Sequence, residues 1–290
     1  MLITILNKCL HLTVDTLGAQ MMSLCANGTE YLWQGDPQYW PDRAPTLFPF
    51  IGRLTHNRYR FQGKTYSMGI HGFAAASQFY PEEQSKEMLV LSLGSSMNTL
   101  LQYPFDFSLR ITFQLIHNTV QISYQVRNLD AKTMPFGIGG HPGFRVPFVE
   151  GERFEDYVLA FSDVCQPDRV GFTPAVYLSG CDEAYPLRDG KYLPLRHDLF
   201  NQDAVILKNM SREVTLRSRI SGHAVKVSYP QMPYLGIWHW PNTDAPYVCI
   251  EPWSSLPARQ DVVEEFSCKS DLIQLAPGKT YENCWTITVE

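Results

Sequence analysis

Two side chains in this 290-residue sequence are framed in ways that suit proton transfer. The stretch MPFGIGGHPGF sets His141 between Gly139-Gly140 and Pro142-Gly143. Glycine permits positive φ or close approach to another group, while proline removes an amide donor and pushes the residue before it toward an extended shape. Such framing either aims the imidazole or makes a tight turn. The stretch APYVCIEPWSSLP runs from an apolar Tyr247–Ile250 segment straight into Glu251. A carboxylate at the end of a buried strand is costly to ionise, so its pKa should rise unless it reaches solvent. Pro252 is expected to stop the strand and leave Glu251 at a sheet end beside a cleft. A histidine and a glutamate with movable pKa values make an acid–base pair.

Two further positions stand out. Arg53, in LFPFIGRL, sits in apolar surroundings; it is either half of a structural ion pair or a rigid fork of donors for hydroxyl groups. His71, in GIHGFAA, is either a satisfied structural histidine or a second polar group of a site. Trp238, Trp240 and Trp253 offer flat apolar faces of the kind sugar rings stack on, although tryptophan is also an ordinary core residue. His71, His141, His239 and Glu251 form a conceivable ligand set, but no H-x-H or H-E-x-x-H spacing organises it, and no metal is assigned.

The elements that must position these groups are strands. Phe107, Leu109, Ile111, Phe113 and Leu115 alternate with polar residues; after His117-Asn118-Thr119, so do Val120, Ile122, Tyr124 and Val126. Period 2 on both sides of a turn predicts an antiparallel hairpin with one buried face. Shorter alternating runs lie around Val214, Val225 and Trp285, and the N-terminal apolar run broken at Asn7-Lys8 reads as a first strand. Turn signals recur at Asn27-Gly28, Gln62-Gly63-Lys64 and Pro277-Gly278-Lys279. Only Ser96 to Gln102 suggests a helix, and no βαβ rhythm is present. The expected class is all-β, a large antiparallel β-sandwich, with residues 1–290 as a single domain and residues 145–200 as long excursions from the sheets.

Bulk properties narrow the function. A net charge of −5 gives no footprint for nucleic acid, and no apolar run approaches the roughly 18 residues of a membrane span. The N-terminus lacks the basic segment of a signal peptide. Seven cysteines, scattered and without a C-x-x-C pair, fit a reduced cytoplasmic setting, with most thiols expected to act as small buried hydrophobes. Neither a nucleic-acid nor a membrane partner is expected, and the chain should be a monomer or weak homodimer.

In order along the chain, GAQMMSL, YLWQGDPQYW, LFPFIGRL, HGFA, YPFDF, MPFGIGGHPGF and CIEPW resemble the aldose 1-epimerase (galactose mutarotase) family, in the branch typified by the LacX proteins. The resemblance runs nearly end to end. It implies a distorted supersandwich with its site in an open cleft, and it implies roles. Gly52-Arg53-Leu54 followed by Arg58-Tyr59-Arg60-Phe61-Gln62-Gly63 is similar to the segment bearing the family's substrate-binding arginine, Arg53 here. His71 matches the first active-site histidine, His141 the general acid and Glu251 the general base. Asp203, ahead of Ala204-Val205-Ile206-Leu207, matches the aspartate that holds sugar hydroxyls.

Mutarotation then needs one proton taken from the anomeric hydroxyl and one given to the ring oxygen, with roles exchanged on closure. No nicotinamide, flavin or metal cofactor is required for this. The pair is expected on opposite sides of a pyranose-sized hollow. Where relatives acting on hexose 6-phosphates have an arginine after H-G-x-A, this chain has Ala75, so a free sugar is expected unless Arg145 or Arg259 substitutes.

Overall fold

The computed structural model describes residues 1–290, and its regular secondary structure is almost entirely antiparallel strand. The predicted hairpin forms as Phe107–Ile116 and Thr119–Asn128, with Ile116 opposite Thr119, so its turn is two residues rather than three. It belongs to a nine-stranded sheet. The order is Tyr192–Pro194, Tyr157–Phe161, Glu213–Ser218, Ala224–Ser228, Thr280–Val289, Thr119–Asn128, Phe107–Ile116, Met88–Gly94 and Tyr80–Gln84. Thr280–Val289 therefore joins two groups of strands that are far apart in sequence.

A second sheet of eight strands carries the candidate site. Its order is Glu183–Ala184, Asp168–Arg169, Val205–Lys208, Tyr234–Trp238, Tyr247–Trp253, Gly139–Gly140 and Thr46–Leu47, and Gly143–Arg145 also pairs with Tyr247–Trp253. Side chains two apart share a face. Leu235, Ile237, Val248 and Ile250 on one face merge with Leu109, Ile111, Ile122, Trp285 and Ile287 of the nine-stranded sheet into a core of 69 residues. Ile206, Trp253 and Cys249, on the opposite face, enter two small clusters instead. That second face lies open to a cavity.

Several expectations need correction. Pro252 does not stop its strand, which runs through Trp253 and pairs Pro252 with Leu235. The missing N–H is tolerated because it falls where pairing on the other side is interrupted, between Gly139 opposite Trp253 and Gly143 opposite Cys249. Residues 145–200 are not all excursions: Tyr157–Phe161 is a mostly buried strand within the larger sheet. Cys249 is the one cysteine that is buried; Cys9, Cys181 and Cys268 are exposed, and all seven are free thiols. The short helix, Met97–Gln102, starts where Ser96 caps the amide of Thr99. No helix is long and apolar enough to cross a membrane.

Candidate active site

The register of Tyr247–Trp253 places the acid–base pair. Gly139 is opposite Trp253, the amide of Ile250 donates to the carbonyl of Pro142, and Gly143 is opposite Cys249. His141 is thereby level with Glu251 on the neighbouring segment, and the two side chains meet on the cavity face. His141 Nε2 and Glu251 Oε2 are 3.2 Å apart. They stand on one wall and in contact, not on opposite sides of a hollow, because they are cross-strand neighbours.

The glycines of MPFGIGGHPGF work by close approach rather than by positive φ. A Cβ on Gly139 would lie 2.7 Å from the carbonyl oxygen of Pro252, and one on Gly140 would lie 2.6 Å from the indole of Trp285. His141 is held by rings on three sides: Trp40 at 4.9 Å between centroids, His71 at 5.6 Å and Trp238 at 5.7 Å. The 3.2 Å contact from His141 Nε2 is not a hydrogen bond, which leaves Glu251 Oε2 without a partner, and His141 Nδ1, the other ring nitrogen, has none either. Burial is 7% exposure for His141 and 1% for Glu251. It holds His141 well below 6.5, helped because two neighbouring imidazoles, His141 and His71, resist being protonated together, and pushes Glu251 well above 4.5, aided by Asp203. Both shifts favour the neutral forms, with the proton on Glu251.

His71 sits at φ 61 and Asp203 at φ 75, in the left-handed region that non-glycine residues seldom occupy. Such strain persists where surrounding structure over-determines it, often at functional sites. For His71 that structure is visible: its amide donates to the carbonyl of Gly52, and its Nδ1 accepts from the amide of Gly52 at 3.1 Å. A ring nitrogen that accepts is unprotonated, so in the neutral ring the proton is on Nε2 and His71 is a hydrogen-bond donor toward the cavity. Burial, together with the Arg53 charge, keeps it neutral, with a pKa lowered to about 4. Arg53 departs from expectation. It is exposed rather than buried, and its guanidinium makes no ion pair or hydrogen bond.

Arg53, His71, His141, Asp203 and Glu251 all line one cavity of about 590 Å³. Trp238, Trp240 and Trp253 line it too. So do Trp40 and Asp42, which the sequence reading did not single out as site residues. No period or turn signal marks Trp40; it lies in a loop, where only the likeness of YLWQGDPQYW to other sequences gave it any prominence.

His239 is elsewhere, which dismantles the four-residue ligand set. It is fully buried, its Nδ1 lies 2.8 Å from the carbonyl of Trp240, and its Nε2 lies 3.1 Å from Nδ1 of His197. Burial lowers its pKa to about 4. Between 6.5 and about 4 the unfolded chain binds a proton that the folded chain refuses, so stability is present above 6.5 and falls as pH drops through this window. The contribution is about 3 kcal/mol for a shift of this size. Urea midpoints are expected to fall across that range in the wild type and to fall less in His239→Gln.

The aldose 1-epimerase family model matches residues 1–287. This chain belongs to the aldose 1-epimerase family. As a member of it, the chain is 36% identical to the chromosomal LacX protein of Lactococcus lactis subsp. lactis, over 100% of this chain and 99% of that one. Among solved structures, a galactose mutarotase related enzyme from Lactobacillus acidophilus aligns with TM-score 0.95 at 33% identity, covering 100% of this chain and 97% of that one. A galactose mutarotase-like protein from Lactobacillus casei aligns with TM-score 0.94 at 31% identity, with 100% of both chains covered. The aldose 1-epimerase fold is thus the one seen here, a sandwich of antiparallel sheets.

Proposed function

We propose that the protein interconverts the α and β anomers of a free hexose, such as galactose or glucose, by acid–base opening and closing of the ring. One observation carries the reading: an imidazole and a carboxylate 3.2 Å apart on the wall of a cavity flanked by tryptophans. In ring opening, the Glu251 carboxylate takes the proton of the anomeric hydroxyl and the His141 imidazolium gives one to the ring oxygen. The C1–O5 bond breaks and an aldehyde remains. The pair is then neutral, the state its burial favours. After rotation about C1–C2, Glu251 returns its proton to the carbonyl oxygen and His141 takes the proton from the C5 hydroxyl as the ring closes. The total of one proton on the pair never changes.

Activity should therefore fail when the pair holds two protons or none. Because His141 is pushed down and Glu251 up, kcat/KM is expected to stay level through neutral pH. The acid limb then reports protonation of His141, well below 6.5. A profile falling through 6.5 would contradict this assignment. The direct test is anomer exchange of glucose or galactose, followed by polarimetry or NMR exchange spectroscopy. Saturable sugar binding without acceleration would mark a non-catalytic sugar-binding protein instead.

The remaining cavity groups suit hydroxyls. We assign Arg53, the His71 Nε2–H and Asp203 to sugar hydroxyls, and the indoles to the ring faces. Arg53 is the sole arginine or lysine on the lining, against the carboxyl groups of Asp42, Asp203 and Glu251. A phosphate dianion would meet net negative charge. Ala75 stands on the lining, Arg145 does not, and Arg259 is bound to Glu264. An unphosphorylated sugar is the better substrate. Since Arg53 supports nothing else, Arg53→Ala is expected to change stability by less than about 0.5 kcal/mol. The same variant should lower kcat/KM about tenfold, the effect of losing one charged hydrogen bond.

A further inference from the structure

Cys249 has no part in the proton transfers just described, yet it adjoins both groups that perform them. His141, Cys249 and Glu251 each bring a ligand atom within 4.8 Å of the other two. The arrangement is built by the strands. Cys249 and Glu251 are two apart on Tyr247–Trp253 and so share a face, while Gly143 opposite Cys249 and Gly139 opposite Trp253 bracket His141. All three residues are buried, and Cys249 is a free thiol. Glu251 Oε2, the oxygen that faces His141 Nε2, lacks a hydrogen-bond partner. A buried polar atom left unpaired costs free energy that a ligand can recover.

We propose that His141, Cys249 and Glu251 form a binding site for a thiophilic divalent cation, with Zn²⁺ as the type case, whose occupancy switches the anomerase off. One sulfur, one imidazole nitrogen and one carboxylate oxygen make a zinc donor set, with a fourth position toward the cavity for water. Mg²⁺ and Ca²⁺ prefer all-oxygen sites and are excluded by this chemistry. On binding, the Cys249 thiol proton and the Glu251 carboxyl proton pass to solvent, and metal–ligand bonds take their place. With both members of the pair engaged, neither can exchange a proton with a sugar. Inhibition, though not metal binding itself, rests on the proposed function.

The test uses the full-length protein freed of metal by a chelator. Zn²⁺ is expected to bind with one-to-one stoichiometry by calorimetry, and to suppress anomer exchange until EDTA restores it. Co²⁺ in the same site should show thiolate-to-cobalt charge-transfer absorption. Cys249→Ser should retain anomer exchange, lose the sulfur band and bind Zn²⁺ at least about tenfold more weakly, the usual cost of disturbing a metal's ligand environment. This contrast separates Cys249 from the exposed thiols Cys9, Cys181 and Cys268. A cobalt spectrum without a sulfur band, or zinc inhibition that is unchanged in Cys249→Ser, overturns the proposal. If the metal-free protein does not accelerate anomer exchange, the catalytic reading fails, while the cobalt spectra of the two proteins still decide the metal site.

Discussion

Glu251→Gln is expected to slow catalysed anomer exchange by about 10²–10⁴-fold, the range that acid–base catalysis supplies, in a protein that is no less stable than the wild type. The amide keeps the shape of the carboxyl group but cannot take up and return a proton. His141 then has no partner with which to exchange roles, so His141→Asn should cost a similar factor. The stability half of the expectation follows from burial. Glu251 is pushed well above 4.5, so above that pH the folded chain keeps a proton that the unfolded chain has released. Stability is thus lost as pH rises from 4.5 through the folded pKa. Glutamine escapes this penalty, and the urea midpoint of Glu251→Gln should exceed that of the wild type by a margin that grows with pH. An unchanged rate in either variant, by polarimetry or NMR exchange, would remove that residue from the mechanism.

Gly140→Ala is expected to damage folding and catalysis together. The added Cβ would lie 2.6 Å and 2.9 Å from two atoms of the Trp285 six-membered ring. Trp285 is 2% exposed and belongs to Thr280–Val289 in the larger sheet, so it has little room to withdraw. Overpacking of this kind costs about 1–3 kcal/mol. The strain that remains would be relieved by moving the segment that carries His141, and a displacement near 1 Å costs roughly 10²-fold in rate. Urea unfolding and anomer exchange on the same preparation check both parts. A variant with wild-type stability and rate would mean that Trp285 yields easily and that the close approach at Gly140 does not hold His141.

Much of the scaffold was readable because its strands alternate strictly. Phe107–Ile116 and Thr119–Asn128 bury every second residue, and their register follows from the turn. Glu251 was readable in type, as a carboxylate at the end of an apolar run. Its position inside a strand was not, because a proline ordinarily ends pairing, and only the three-dimensional register shows that Pro252 faces a gap in the ladder. For Arg53 the apolar neighbours in sequence suggested burial, whereas the turn at Gly52, φ 73, leads the side chain out to solvent. The convergence of Arg53, His71, His141, Asp203 and Glu251 on one cavity depends on contacts between distant segments. Local pattern carries no information about such contacts, and resemblance alone suggested them in advance. The nearness of Cys249 to the pair follows from the two-residue strand repeat, but that argument needs Glu251 to lie within the strand, which the sequence argued against.

The place of Thr280–Val289 bears on how the molecule assembles. It lies between Ala224–Ser228 and Thr119–Asn128, and synthesis delivers it after both. Until it arrives, each of those neighbours exposes a row of unpaired amides and carbonyls, the kind of edge on which chains stick to one another. Completion of the sheet must therefore wait on a late segment that inserts like a keystone, and contacts of such long sequence separation make for slow folding. Chains ending short of residue 280 should accumulate as aggregates rather than as smaller folded units.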